Sequence, residues 1–126
     1  PALGLITVNA LVATNEVYVP MHSQEFSISA LHNIANSIAV VKEEFNPALE
    51  LKGIFFTRHN PRKNITQQMV EMLNDEFPDK LMKTHIRVNV DLEESPSLRQ
   101  DVFTYNAQSN GAKDYEALAN EIINRR

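Results

Sequence analysis

The chain contains no cysteine, which removes any disulfide framework and any thiolate metal site and fits a reducing compartment such as the cytoplasm. It has three glycines, Gly4, Gly53 and Gly111, spread too far apart for a G-x-x-x-x-G-K-[S/T] loop, so no glycine-rich cradle for phosphates exists within these residues. No apolar run approaches the roughly 20 residues of a membrane span, and the amino end lacks a basic region followed by an apolar one. Repeats, low-complexity tracts and linkers are missing as well.

What is present is an ordinary core-forming composition: 126 residues, 43% hydrophobic, enough for one domain. The net charge of -4 argues against a uniformly basic nucleic-acid binder. Charge acts locally, however, and Arg58, Arg62 and Lys63 crowd into one short loop.

The pattern alternates helices and strands. Thr7–Thr14 reads as a short helix and Glu16–Val19 as a strand that Pro20 ends, since proline has no amide for the ladder. Phe26–Phe45 places Leu31, Ile34, Ile38 and Val41 on one helical stripe, closed by Asn46-Pro47. Leu51–Thr57 carries Ile54-Phe55-Phe56, the mark of a central strand covered on both faces. Asn64 and Gln67 have capping-box spacing for a helix with Met69, Leu73 and Phe77 inward and Pro78 after its end. Leu81–Ile86 reads as a third strand and Ala112–Asn124, with Tyr115, Leu118 and Ile122 on one stripe, as the closing helix. The class is α/β, a mostly parallel sheet flanked by helices, with ligands expected beyond the carboxyl ends of the strands. The loops after Thr57 and after Ile86 fall there.

Four segments carry a family resemblance. PALGLITVNALV (Pro1–Val12), VYVPMHSQEFSISAL (Val17–Leu31), GIFFTRHNPRKN (Gly53–Asn64) and ESPSLRQDVFTYNAQSNGAKDYEA (Glu94–Ala117), the last overlapping the stretch Thr84–Gly111, occur in that order. They resemble successive segments of the ParA/Soj partition ATPases, a P-loop family, over nearly the whole chain. The resemblance implies the carboxyl-terminal half of a P-loop α/β domain, residues 1–126, beginning just past the second acidic motif; the Pro start is read the same way. The phosphate-binding loop and acidic motifs are expected upstream. It further implies ATP and magnesium in the intact protein, a nucleotide-dependent dimer, non-specific DNA binding on the nucleoid and a ParB-type adaptor. This chain alone is expected to be inactive, with no catalytic residue and no tightly held cofactor, because transferred charge would meet no lysine and no amide nest.

Residue by residue, Asn60 falls where the family has an aspartate that contacts the base, and an amide both donates and accepts at an adenine edge. The alternative for His59-Asn60-Pro61 is a plain turn. Arg87, Val88 and Asn89 occupy the place of the family's P-R-N; proline and arginine are replaced, which favours Asn89 and the Val88 backbone over Arg87 as base contacts, beside a plain surface loop. Arg62 matches a basic position used for sequence-independent DNA binding, and with Lys63 and a helix start it suits a phosphate oxygen; simple solvation is the other reading. A second basic position of the family is Asp91 here, so DNA contact would lean on Arg58, Arg62, Lys63, Lys83, Arg87 or Arg99.

His22, His32, His59 and His85 lack any ligand-motif spacing, and no metal site is expected. Ser23, Ser27 and Ser29 beside His22 have no nucleophile elbow and are read as a helix start. The run Asp91, Glu93, Glu94 is read as helix-start or loop charge. Two further classes stay open: a fragment of a MinD-like positioning ATPase, though the end Asn120–Arg126 carries no amphipathic membrane anchor beyond the packing helix, and a non-enzymatic interaction module.

Overall fold

A computed structural model describes residues 4–22, 27–60, 62 and 64–125. Its elements run α1 (Leu5–Ala13), β1 (Glu16–His22), α2 (Ile28–Glu44), β2 (Glu50–Thr57), α3 (Asn64–Glu76), α4 (Val90–Glu94), a 3-10 turn (Ser95–Leu98), α5 (Val102–Asn106) and α6 (Asn110–Asn124). Ser27 caps α2 by accepting the Ala30 amide, and Lys42 sits in the last turn, where a cation favours the helix dipole. Asn46 then ties two helices together, because its side-chain amide donates to the carbonyls of Leu11 and Thr14.

β1 and β2 pair in parallel, with Lys52 as the extra residue where the register shifts between Val17 and Tyr18. β2 alternates between two apolar layers. Ile54 and Phe56 face Leu31, Ile38 and Val41 of α2 and Leu73 of α3, while Phe55 faces Met82, Ile86 and Leu118 of α6. Leu31, Ile54, Phe56 and Leu73 are fully excluded from solvent, each contributing about 2–3 kcal/mol of burial. Helices on both faces make β2 the central strand that its continuous apolar run implies. No helix among the described residues is long and apolar enough to cross a membrane.

Three expectations are corrected. Pro20 does not end β1 but pairs with Phe55 inside it. Ile54 bonds the 81 side with both its amide and its carbonyl, so Gly53 and Phe55 bond β1; the bonds around Phe55 then fall on the Val19 carbonyl and the Met21 amide. The missing amide of Pro20 faces the outer edge, where no ladder bond is lost.

Leu81–Ile86 is not a regular strand. It touches β2 through the bridge Ile54–Leu81, and Arg87 bridges His59. Between Met82, which donates to the Ile54 carbonyl, and Ile86, which donates to the Phe56 carbonyl, the segment carries two residues more than a regular ladder allows. The gap is filled by side chains. His85 Nδ1 accepts the Phe56 amide at 3.1 Å, and the Glu121 carboxylate accepts the displaced amides of Lys83 and Thr84 at 2.9 and 2.8 Å.

The third correction concerns α6, where Tyr115 lies largely exposed; Gly111, Ala112, Asp114 and Leu118 form the buried stripe instead, with Ile122 half-buried. The expected start of α2 at Phe26 and the Asn64 cap lie outside the described residues and side chains.

His85 must stay unprotonated at Nδ1 to accept the Phe56 amide, and burial, reinforced by His59, depresses its pKa to about 4. A depressed imidazole means that the unfolded chain binds the proton first, so stability falls as pH drops from 6.5 toward 4. The full gap corresponds to about 3 kcal/mol, and solvent screening of the part-exposed ring leaves roughly 1–2 kcal/mol as the expected loss. Urea unfolding across this range should show it, and His85→Gln should lose that increment of pH dependence. An identical pH profile in the variant would exclude His85 as its source.

Candidate functional site

Because the strands are parallel, the ends of β1 and β2 and the residues after Ile86 open on one side of the domain. Thr57 Oγ1 donates to the Met21 carbonyl at 3.3 Å and fixes the two strand ends against each other. The chain then turns sharply: Arg58 takes a left-handed φ of 49°, which a non-glycine residue adopts at a cost. His59 returns to the sheet by donating its amide to the Ile86 carbonyl at 2.9 Å. Its ring stacks on Phe56 at 5.9 Å and lies 5.0 Å from His85. Burial lowers the pKa of His59, with Asp114 opposing, so the ring is neutral at pH 7. Its Nδ1 is buried without a hydrogen-bond partner.

Asn60 forms the turn. Its Oδ1 accepts the Arg62 amide at 3.1 Å, an Asx turn that engages the side-chain oxygen locally. On the neighbouring loop, the Asp114 carboxylate holds Arg87 through its backbone amide at 2.9 Å, Nε at 2.9 and 3.2 Å and Nη2 at 2.8 Å. Burial pushes the Asp114 carboxyl up, but the Arg87 hydrogen bonds outweigh this and hold it below the ordinary range. Val88 is exposed. Asn89 stands at the N-cap of α4 without making the cap bond, and its Oδ1 is buried with no partner beside Gly111.

The structure therefore brings Asn60, Arg87, Val88 and Asn89 to one end of the sheet, and adds His59 and Asp114, which sequence reasoning missed. Periodicity carries no signal for either. The nearest clue was an arginine where the resembled family has proline.

The basic residues are more scattered. Arg58 and Arg62 are exposed on the β2 loop, and Lys63 lies outside the described residues. Lys83 is exposed on the bulge, its amide held by Glu121, and Arg99 follows the 3-10 turn at a φ of 54°. Asp91, in the first turn of α4, accepts from Asn106 Nδ2 at 3.4 Å. Ser27 caps α2, in line with the helix-start reading. Among the described residues no group of three or more His, Asp or Glu is placed to hold a metal ion.

The model of the AAA domain family matches residues 1–51. The chain is 38% identical over 125 residues to the chromosome-partitioning ATPase Soj of Treponema pallidum, covering 99% of this chain and 49% of that protein. It is 34% identical to the chromosome partitioning protein ParA of Myxococcus xanthus, over 99% of this chain and 44% of the relative. The sporulation initiation inhibitor protein Soj of Bacillus subtilis is 34% identical over 122 residues, 97% of this chain and 48% of the relative. The chain is similar to ParA and Soj proteins over nearly its whole length. It spans about half the length of these ParA and Soj relatives.

Gly111 is where α6 meets the 87–89 loop. A β-carbon there would stand 2.5 Å from Leu92 Cγ and 2.8 Å from Asn89 Oδ1. Gly111→Ala should therefore displace Asn89 and cost about 1–3 kcal/mol by overpacking. A thermal unfolding midpoint equal to that of the parent chain would show that the loop has slack the geometry does not suggest.

Proposed function

We propose that residues 1–126 are the carboxyl-terminal portion of a ParA-type ATPase domain whose phosphate-binding loop and acidic motifs lie in the portion of the protein preceding them. The full protein is then an ATP- and magnesium-dependent partition ATPase of the cytoplasm that dimerises around nucleotide, binds nucleoid DNA without sequence preference and works with a ParB-type adaptor. The observation that carries this reading is the 38% identity to a chromosome-partitioning ATPase across 125 residues. In it, this half supplies the base end of the nucleotide site.

Asn89 is the foremost base contact, since a buried acceptor without a partner suits a donor on the ligand. The Val88 backbone lies beside it. Asn60 contributes by shaping the β2 loop, its Oδ1 being engaged by Arg62. Arg87 positions rather than touches, because its guanidinium is held by Asp114. Bound ATP would supply the phosphoryl group and magnesium its charge neutralisation, and the residues that hold the phosphates and the metal are assigned to the preceding portion of the protein.

The isolated chain should bind Mg-ATP weakly and hydrolyse none, because contacts to the base do not replace those to the phosphates. Titration calorimetry tests this. A micromolar constant, about -8 kcal/mol, would mean that the phosphate site lies within this half after all.

For DNA, the proposed surface is Arg58, Arg62 and Lys63, with Lys83 and Arg99 as outlying contributors. In the intact ATP-bound dimer, Arg62→Ala should weaken binding to any duplex and flatten the slope of log affinity against log salt by about one. Asp91→Arg should raise affinity. Fluorescence anisotropy on two unrelated duplexes across a salt series reads both effects, and unchanged affinity and slope in both variants would assign the DNA surface elsewhere.

A further inference from the structure

Asp114 was assigned no role from the sequence, yet it is only 8% exposed and stands on the inward stripe of α6. Every hydrogen bond described for its carboxylate comes from Arg87, and one of them comes from the backbone amide. A carboxylate serving only to neutralise a guanidinium would leave the main chain alone. This one fixes both the side chain and the backbone of Arg87, in the bidentate geometry that restricts a planar fork most strongly.

Three residues before Asp114 on the same helix, Gly111 lets the loop approach closely, with Asn89 Oδ1 against it. The loop is thus docked at two points one helical turn apart. Between them it holds an amide oxygen that is buried and lacks a partner, an arrangement that persists only where the surroundings over-determine it.

We propose that Asp114 is a positioning residue: through Arg87 it clamps residues 87–89 onto α6 and keeps Asn89 Oδ1 preorganised to accept a hydrogen bond from the exocyclic amino group of a purine. The identity of the ligand rests on the functional reading above, whereas the clamp rests on the hydrogen bonds alone. Asp114 touches no ligand. Its contribution is to remove the conformational freedom that the loop would otherwise lose on binding.

The test uses the 126-residue chain and two readouts. In amide hydrogen exchange, Asp114→Ala should accelerate exchange at Arg87 by about tenfold or more, and Asp114→Asn, which keeps an acceptor for the Arg87 amide, by less. The β2 amides of Ile54 and Phe56 should hold within about twofold in Asp114→Asn. Unchanged exchange at Arg87 in both variants, or an equal rise throughout β2 in both, would overturn the clamp.

The second readout is chemical-shift perturbation by adenosine, with inosine, which lacks the amino group, as the comparison. Adenosine should perturb the Asn89 side-chain amide in the parent chain, inosine should not, and Asp114→Asn should lose the response. If the parent ignores adenosine while the exchange pattern holds, the ligand part of the proposal fails together with the reading on which it rests, and the clamp stands. An undiminished adenosine response in Asp114→Asn would instead remove the positioning role and leave the base reading in place.

Discussion

The Phe56 amide sits at the one point where the sheet cannot bond itself, and the domain is organised around how that point is satisfied. Phe56 is fully buried between α2, α3 and the strands, so an unpaired amide there would cost on the order of 1–3 kcal/mol. The segment that should bond it bulges by two residues between Met82 and Ile86. His85 repairs the ladder with a ring nitrogen. A backbone carbonyl would have accepted at any pH; an imidazole accepts only while neutral, which makes the sheet sensitive to protonation at this one place.

The displaced amides need acceptors too, and α6 provides them. Glu121 takes Lys83 and Thr84, and Asp114, seven residues earlier on the same helix, takes Arg87. Two carboxylates two turns apart thus do for the irregular segment what a neighbouring strand does for β2. Both are held below the ordinary carboxyl range even though burial pushes them up, the hydrogen bonds from the segment outweighing the desolvation. A helix in the sequence is therefore also a strand substitute in the structure. This arrangement lets the chain reach the candidate site with its backbone fixed.

Long periodic segments were legible and acceptor substitution was not. The stripe of Leu31, Ile34, Ile38 and Val41 and the run Ile54-Phe55-Phe56 reached the expected layers because burial of apolar surface writes the period directly. Leu81, Met82 and Ile86 have strand composition, and only the histidine and glutamate that fill their missing bonds make the segment irregular. The α6 stripe was displaced toward Tyr115 because the buried position next to it is an aspartate, and a charged residue inside a helix face leaves no mark in an apolar pattern. The helices Val90–Glu94 and Val102–Asn106 span five residues each, too few for a period of 3.6 to register. Asn60 and Asn89 were found as a pair; that the first is engaged in a turn and the second left unpartnered depends on backbone geometry that no motif encodes.

The charge balance at this end of the sheet bears on what it would receive. Arg87 is compensated by Asp114, and His59 and His85 are desolvated and neutral at pH 7. Arg87 therefore brings no uncompensated positive charge to the 87–89 loop, and Asp91 and Glu93 follow Asn89 in the first turn of α4. A phosphate bound there would lose its hydration without meeting an uncompensated cation, which is unfavourable. A flat heterocycle carrying an amino donor meets no such penalty, because it buries apolar faces and brings a donor to the Asn89 Oδ1 acceptor. Arg58 and Arg62 stand exposed on the adjoining loop. The proposed division, a base beside Asn89 and a polyanion at the loop of Arg58 and Arg62, follows this difference in charge.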